Sequence, residues 1–185
     1  MDWDAFAEGH LDVAHEVLTT LRAPIEAVAA GMAERLRQGG KVMACGNGGS
    51  ASDAQHFAAE LVNRFQRERK PYAGLALTTD TSILTAVGND YGFDTVFARQ
   101  VKALARPGDL VVGLSTSGNS ANVLAAFAAA QEAGAKTIAF TGRSGGKMKE
   151  TADCTIAVPA DVTARIQEMH ILIGHILCEW IDEVT

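Results

Sequence analysis

Two side chains open the question of chemistry. His56 and Glu60 stand four residues apart in the stretch GNGGSASDAQHFAAEL. On a helix that spacing puts them on one face. An imidazole beside a carboxylate can bind zinc or act as an acid–base pair. Taken alone, such a pair is more often a solvated surface pair; here it follows a glycine-rich loop, Gly46 to Ser52. A second segment, STSGNS (Ser115 to Ser120), has the same make-up. Both offer glycines for close backbone approach, hydroxyl donors, and free N–H groups at the start of a helix, the parts of an anion cradle. A third group lies near the C-terminus, where RIQEMHILIGH places Arg165, Gln167, Glu168, His170 and His175 in an apolar run. Polar groups there need partners if buried. On a straight helix Gln167 and His175 are about 12 Å apart. One metal takes both only if the helix bends near Gly174 or a neighbouring subunit completes the site.

Three readings compete for the first loop. Gly46-x-Gly48-x-x-Ala51 fits the dinucleotide fingerprint formally. However, the acid expected after the next strand is not evident, since Leu77 is followed by Thr78, Thr79 and Asp80. A Walker loop is excluded because neither segment has Gly-Lys-Ser/Thr. Ordinary polar turns are the plainer alternative, but two such loops in one domain argue against it. A single phosphate monoester held by hydroxyls and backbone N–H groups fits best. The net charge is −6 and no Lys/Arg stripe is present, so no nucleic-acid partner is expected. An anionic substrate must therefore be met locally. His10, His15 and His170 read as structural or surface residues. Cys45, Cys154 and Cys178, widely spaced and without a CxxC, read as buried reduced thiols.

These groups need elements to hold them. Five short apolar runs predict strands buried on both faces: Lys41 to Cys45, Ala73 to Leu77, Leu110 to Ser115, Lys136 to Thr141 and Cys154 to Val158. Helical spacing covers Ala51 to Phe65 and Asn119 to Glu132, with Ser50-x-x-Asp53 resembling a capping box. Strands alternating with helices predict an α/β fold with a parallel, doubly wound sheet of five strands. About 40 residues of helical character precede it, divided near Pro24. A long helix from Thr163, its N-cap, to Val184 follows it, apolar on more than one face. The whole chain, 1–185, reads as one domain. No apolar run approaches the ~20 residues of a membrane span, and the acidic start lacks a secretory pattern, so a cytoplasmic protein without a membrane partner is expected.

The segments CGNGGSASDAQHFAAEL, VGNDYGFD, STSGNSAN, TGRSGGKM and RIQEMHILIGHIL together resemble the phosphoheptose isomerases of the SIS family, from about Met1 to the C-terminus. The resemblance implies a flavodoxin-like sheet between helices and a homotetramer with sites at subunit interfaces. It implies that Glu60 is the base moving a proton between C1 and C2, and that His175 is the general acid. The implied ligands of one zinc per subunit are His56, Glu60, Gln167 and His175. The implied substrate contacts are Asn47, Gly48, Gly49, Glu60, Asn89, Asp90, Ser115, Thr116, Ser117, Ser120 and Gln167. The activity implied is conversion of sedoheptulose 7-phosphate to D-glycero-D-manno-heptose 7-phosphate through an enediol, the first step toward the activated heptose of lipopolysaccharide. Read without the resemblance, Gly88-Asn89-Asp90 is only a turn at a helix end. Adaptors of the same fold that bind the bacterial replication initiator resemble NRFQRERK, LTTDTSILTA and ARIQEMH. They lack the groups matching Glu60 and His175, so the adaptor is the alternative reading.

Overall fold

Short buried strands separated by helices leave the chain few options, and it adopts the doubly wound one. The computed structural model describes residues 1–184. Two helices, α1 (Trp3–Thr20) and α2 (Arg22–Arg37), lead into β1 (Val42–Gly46) and α3 (Gly49–Val62). Then come β2 (Gly74–Ala76), α4 (Thr81–Tyr91), α5 (Val96–Leu104), β3 (Leu110–Leu114) and α6 (Ala121–Glu132). The chain closes with β4 (Lys136–Thr141), α7 (Gly146–Thr151), β5 (Cys154–Ala157) and α8 (Thr163–Val184). All pairings are parallel, in the order β2-β1-β3-β4-β5. No helix among the described residues is long and apolar enough to cross a membrane.

Alternate strand residues feed two cores, as the period of two requires. Val42, Ala44, Leu110, Val112 and Leu114 face one core with α2, α3 and α8. Met43, Cys45, Val111 and Ala139 face the other, with α5 and α6. The five expected strands all form, with ends shifted by no more than two residues. Pro24 lies in the first turn of α2, the place where its missing N–H costs nothing.

Several local expectations are corrected. The first turn of α3 is entered through Gly48 (φ 57°) with no side-chain cap, so Ser50 and Asp53 form no capping box. Thr163 is the first helical residue of α8 rather than its cap, with the Ile166 N–H donating to the Val162 carbonyl. Cys45 and Cys178 are buried, and burial pushes both thiols up to about 12. Cys154 is exposed, because β5 is an edge strand with a single neighbour.

The long α8 packs against α2 and α3, and more lightly against α1, which accounts for its broad apolar surface. Near its end, the Asp182 carboxylate accepts from the Gln66 N–H (2.7 Å), the Arg67 N–H (2.9 Å) and Arg69 Nε (2.7 Å). Arg69 in turn donates to the Glu60 and Leu61 carbonyls (2.9 and 3.0 Å) at the end of α3, where carbonyls lack intrahelical donors; the Leu61 carbonyl also accepts from the Tyr72 N–H (3.0 Å). Burial alone would raise the Asp182 carboxyl, but the donors of Arg67, Gln66 and Arg69 outweigh it and hold the group below its ordinary value.

Replacing Asp182 by Ala strands a guanidinium whose side chain is only 5% exposed. A loss of about 3 kcal/mol is expected, read as a lower urea midpoint at neutral pH. Because the folded value is depressed, this contribution is full above the unfolded carboxylate range near ~3.9 and fades as pH falls through the folded value. Wild type and D182A should therefore converge in acid. His170 sets a second pH dependence. Burial pulls its imidazole down from 6.5 to about 4, and the bond to the Thr141 carbonyl opposes this only in part. The unfolded chain protonates first, so stability should decline from pH 6.5 toward 4, by about 3 kcal/mol in full. Urea unfolding of wild type and His170→Gln across that range measures it, and the variant should show a flatter decline.

Candidate active site

The strand order reverses between β1 and β3, and the carboxyl ends of those neighbours open a crevice. Cys45 pairs with Gly113 and Gly46 with Leu114, so the two polar loops leave the sheet side by side. A reciprocal amide pair joins them. Asn47 Nδ2 donates to Asn122 Oδ1, and Asn122 Nδ2 donates back to Asn47 Oδ1, both at 2.9 Å. In the second loop, the buried Ser115 hydroxyl meets that of Ser120 at 2.8 Å. Neither α3 nor α6 is capped by a side chain. Ser117 and Thr116 lie at the rim, the former exposed. Gly118 (φ 65°) makes the close approach possible, since a Cβ there would fall 2.1 Å from the Gly145 carbonyl oxygen.

Helix α3 starts at this crevice and runs alongside α8 in the same direction. At its first residue, Gly49 lies against the Gln167 amide, where a Cβ would meet both amide heteroatoms at 2.8 Å. Farther along, Gly174 of α8 faces Phe57, and His175 faces His56. Gly49, Asp53, His56 and Glu60 recur at the spacing that keeps them on one helical stripe. The seam between the helices thus carries the loop and Gln167 at one end, and the His/Glu cluster at the other. Gly49 and His56 are seven positions apart, about 10 Å along the axis.

At the cluster, His56 Nε2 lies 2.9 Å from Glu60 Oε1 and 3.5 Å from His175 Nε2. The ligand atoms of His56, Glu60 and His175 all lie within 4.8 Å of one another. Two imidazole nitrogens and a carboxylate oxygen converge, and one N–H cannot satisfy both neighbours of His56 Nε2. A cation relieves that crowding of lone pairs. Zinc bonds of about 2.0–2.1 Å give tetrahedral edges of roughly 3.3 Å, so 2.9 and 3.5 Å suit a shared ion. The donor set therefore fits a metal, with three ligands and a position left open.

The structure brings together His56, Glu60 and His175, and separately Asn47, Gly48, Gly49 and Gln167 beside the serine loop. Gln167 and His175 stand eight positions apart on an uninterrupted α8, which holds them about 12 Å apart along its axis. Asn89 and Asp90 occupy the last turn of α4, exposed and bonded to each other at 2.8 Å. That helix packs toward the second core, on the sheet face away from α3 and α8. Of the histidines set aside, His10 pairs with Glu168 at 2.8 Å, His15 is exposed and His170 is buried. Sequence reasoning missed Asn122, whose position as the second residue of α6 carries no motif, and treated Asp53 only as a cap. One Asp53 oxygen is buried without a partner on the stripe between the two ends. Burial raises that carboxyl, with His56 opposing.

Residues 5–142 match the family model for the SIS domain. The phosphoheptose isomerase of Aliarcobacter butzleri (strain RM4018) is 55% identical over 173 residues, covering 94% of this chain and 92% of the relative. That of Rhodospirillum rubrum is 60% identical over 162 residues, covering 87% and 86%. Among solved structures, phosphoheptose isomerase GmhA from Neisseria gonorrhoeae superposes with TM-score 0.93 at 50% identity, covering 98% of this chain and 97% of that one.

The convergence of three donors generates a test with zinc as the probe. Competition against a chromophoric chelator should show binding to the wild-type chain. His56→Ala, Glu60→Gln and His175→Gln should each weaken it by about tenfold or more, the scale of a lost ligand-sphere contact. Equal affinity in all four proteins would remove the cluster as a metal site.

Proposed function

The chain belongs to the SIS domain family and, within it, to the phosphoheptose isomerases, and from that premise we propose that it interconverts sedoheptulose 7-phosphate and D-glycero-D-manno-heptose 7-phosphate. The observation that carries the reading is the convergence of Glu60, His56 and His175 at one end of a seam whose other end is a double phosphate cradle. An extended seven-carbon sugar phosphate suits that separation, with its phosphate at the loops and its carbonyl end at the cluster.

The residues divide the work as follows. Backbone N–H groups of Gly48 and Gly49 and the hydroxyls of Ser115, Thr116, Ser117 and Ser120 hold the phosphate end, with Asn47 and Gln167 beside them. These are neutral donors, so they bind a dianion without needing cationic side chains. Glu60 takes the proton between C1 and C2 and returns it to the neighbouring carbon. His175 donates to the oxygen on which charge develops. Zinc, one per subunit, would be held by His56, Glu60 and His175, with Gln167 able to serve as a fourth ligand only from a neighbouring subunit, and when bound would supply Lewis-acid polarisation of the substrate oxygen.

Assembly follows from what a single copy leaves open. Helix α1 buries only Val17 and exposes Trp3, Phe6, Leu11 and Leu18, an apolar surface that asks for cover. A homotetramer with sites at its interfaces would cover it, and would let Asn89, Asp90 and Gln167 of neighbouring copies complete one another's sites. The chain then works as one domain in the cytoplasm, without nucleic-acid or membrane partners. Its product feeds nucleotide-activated heptose and lipopolysaccharide. The relatives compared above are named as isomerases, and the adaptor alternative gains no support from them.

NMR of sedoheptulose 7-phosphate incubated with the zinc-loaded protein tests the reading. An aldoheptose signal is expected. Glu60→Gln and His175→Gln should each cut turnover by at least about 10²-fold, the usual scale of acid–base assistance, while retaining native circular dichroism. A folded, zinc-loaded wild type that leaves the ketose unchanged would overturn the assignment.

A further inference from the structure

The His175 ring is held from two sides. His56 meets it edge-on, with ring centroids 5.1 Å apart and an interplanar angle of 68°. On the other side, Phe65 stacks on it at 5.2 Å and 26°. Phe65 belongs to no strand or helix. It sits in the connection between α3 and β2, a segment whose other side chains are largely exposed. A mobile loop would be a poor place for a ring that must stay within van der Waals contact of an imidazole.

This loop is pinned just beyond Phe65. The Gln66 and Arg67 N–H groups both donate to Asp182 Oδ2, and Arg69 Nε donates to Oδ1. The Arg69 and Asp182 side chains are 5% and 1% exposed, so the bond is shielded from competing water. Arg69 then reaches the carbonyl of Glu60 itself at 2.9 Å. Asp182 stands seven residues after His175 on α8, two turns along the same face. One carboxylate therefore fixes the loop to the helix that carries His175, and its guanidinium partner fixes the loop to the turn that carries Glu60.

We propose that Phe65 is a positioning residue for His175, delivered to it by the Asp182–Arg69 clamp. The stacked ring blocks rotation of the imidazole away from His56 and Glu60, and so keeps Nε2 aimed at the point where the three donors converge. Its consequence for turnover rests on the isomerase reading; its consequences for ring geometry and metal retention do not.

Phe65→Leu keeps apolar bulk but removes the aromatic face, and Phe65→Tyr restores it. Three readouts are compared in the full-length protein. The first is the ring-proton shift of His175 in histidine-labelled protein, assigned by its loss in H175Q. The second is zinc affinity by chelator competition. The third is kcat against KM for sedoheptulose 7-phosphate. In F65L the His175 resonance should move downfield as the ring current disappears. Zinc affinity and kcat should each fall by about tenfold, as for other groups that orient ligands, with KM within about twofold. F65Y should restore all three. A folded F65L with wild-type zinc affinity and kcat overturns the proposal. Should F65L fail to fold, Phe65→Met carries the same comparison. If neither folds, Phe65 is a stability residue and the proposal falls. If the wild type shows no turnover, the isomerase reading fails alone, and the shift and zinc measurements still decide the positioning role.

Discussion

At the far end of the α3–α8 seam from the glycine-rich loops, one carboxylate gathers three donors from a loop. Asp182 accepts from the N–H groups of Gln66 and Arg67 and the guanidinium of Arg69, which in turn donates to the carbonyls of Glu60 and Leu61. The arrangement ties the ends of α3 and α8 to each other through the buried side chains of Arg69 and Asp182. A charge-assisted bond in such surroundings is costly to break because each partner would be left unsatisfied. It holds the parallel alignment of the two helices at this end, close to where His56 and Glu60 meet His175.

The other end of the seam is governed by the sheet. Because β1 and β3 are neighbours although distant in sequence, their following loops emerge together. Each loop opens a helix, and the two are locked by the Asn47–Asn122 amide pair. Such a cradle is made of backbone and hydroxyl dipoles. The net charge of −6 does not weigh against the proposed anion site there, because such donors are local and oriented, while the global field is weak at that range under physiological salt.

Between the two ends lies a row of polar side chains that serve different masters. Gln167 fills the space left by the missing side chain of Gly49. Asp53 holds one oxygen in the seam without a partner. His175 is wedged between an imidazole and a phenyl ring. The core below, with Phe57 and Leu61 from α3 and Ile173 and Leu177 from α8, holds the row in register. Packed interiors deform little, so positions along the seam are set by apolar contacts under it as much as by polar contacts within it.

By itself the amino-acid sequence determined the local and periodic properties of this protein. Buried strands of Val, Ile, Leu and Ala, glycine-rich starts to α3 and α6, and the His56–Glu60 spacing all follow from contacts within a few residues, where period and turn chemistry operate. Five strands, the doubly wound class, the long last helix and the placing of His56 and Glu60 on one helical face were legible for that reason, and the several motifs in order pointed to the family. Short polar helices such as α7, the exposure of Cys154 and the uncapped entry to α3 were not, because edge position and neighbouring elements decide them. Only the tertiary structure decided what lies across the chain. Asn122 reaches back 75 residues to Asn47, His175 meets His56 across 119, and Asp182 grips Arg69 across 113. No local pattern encodes such partners; they exist because two helices pack in parallel on one face of one sheet.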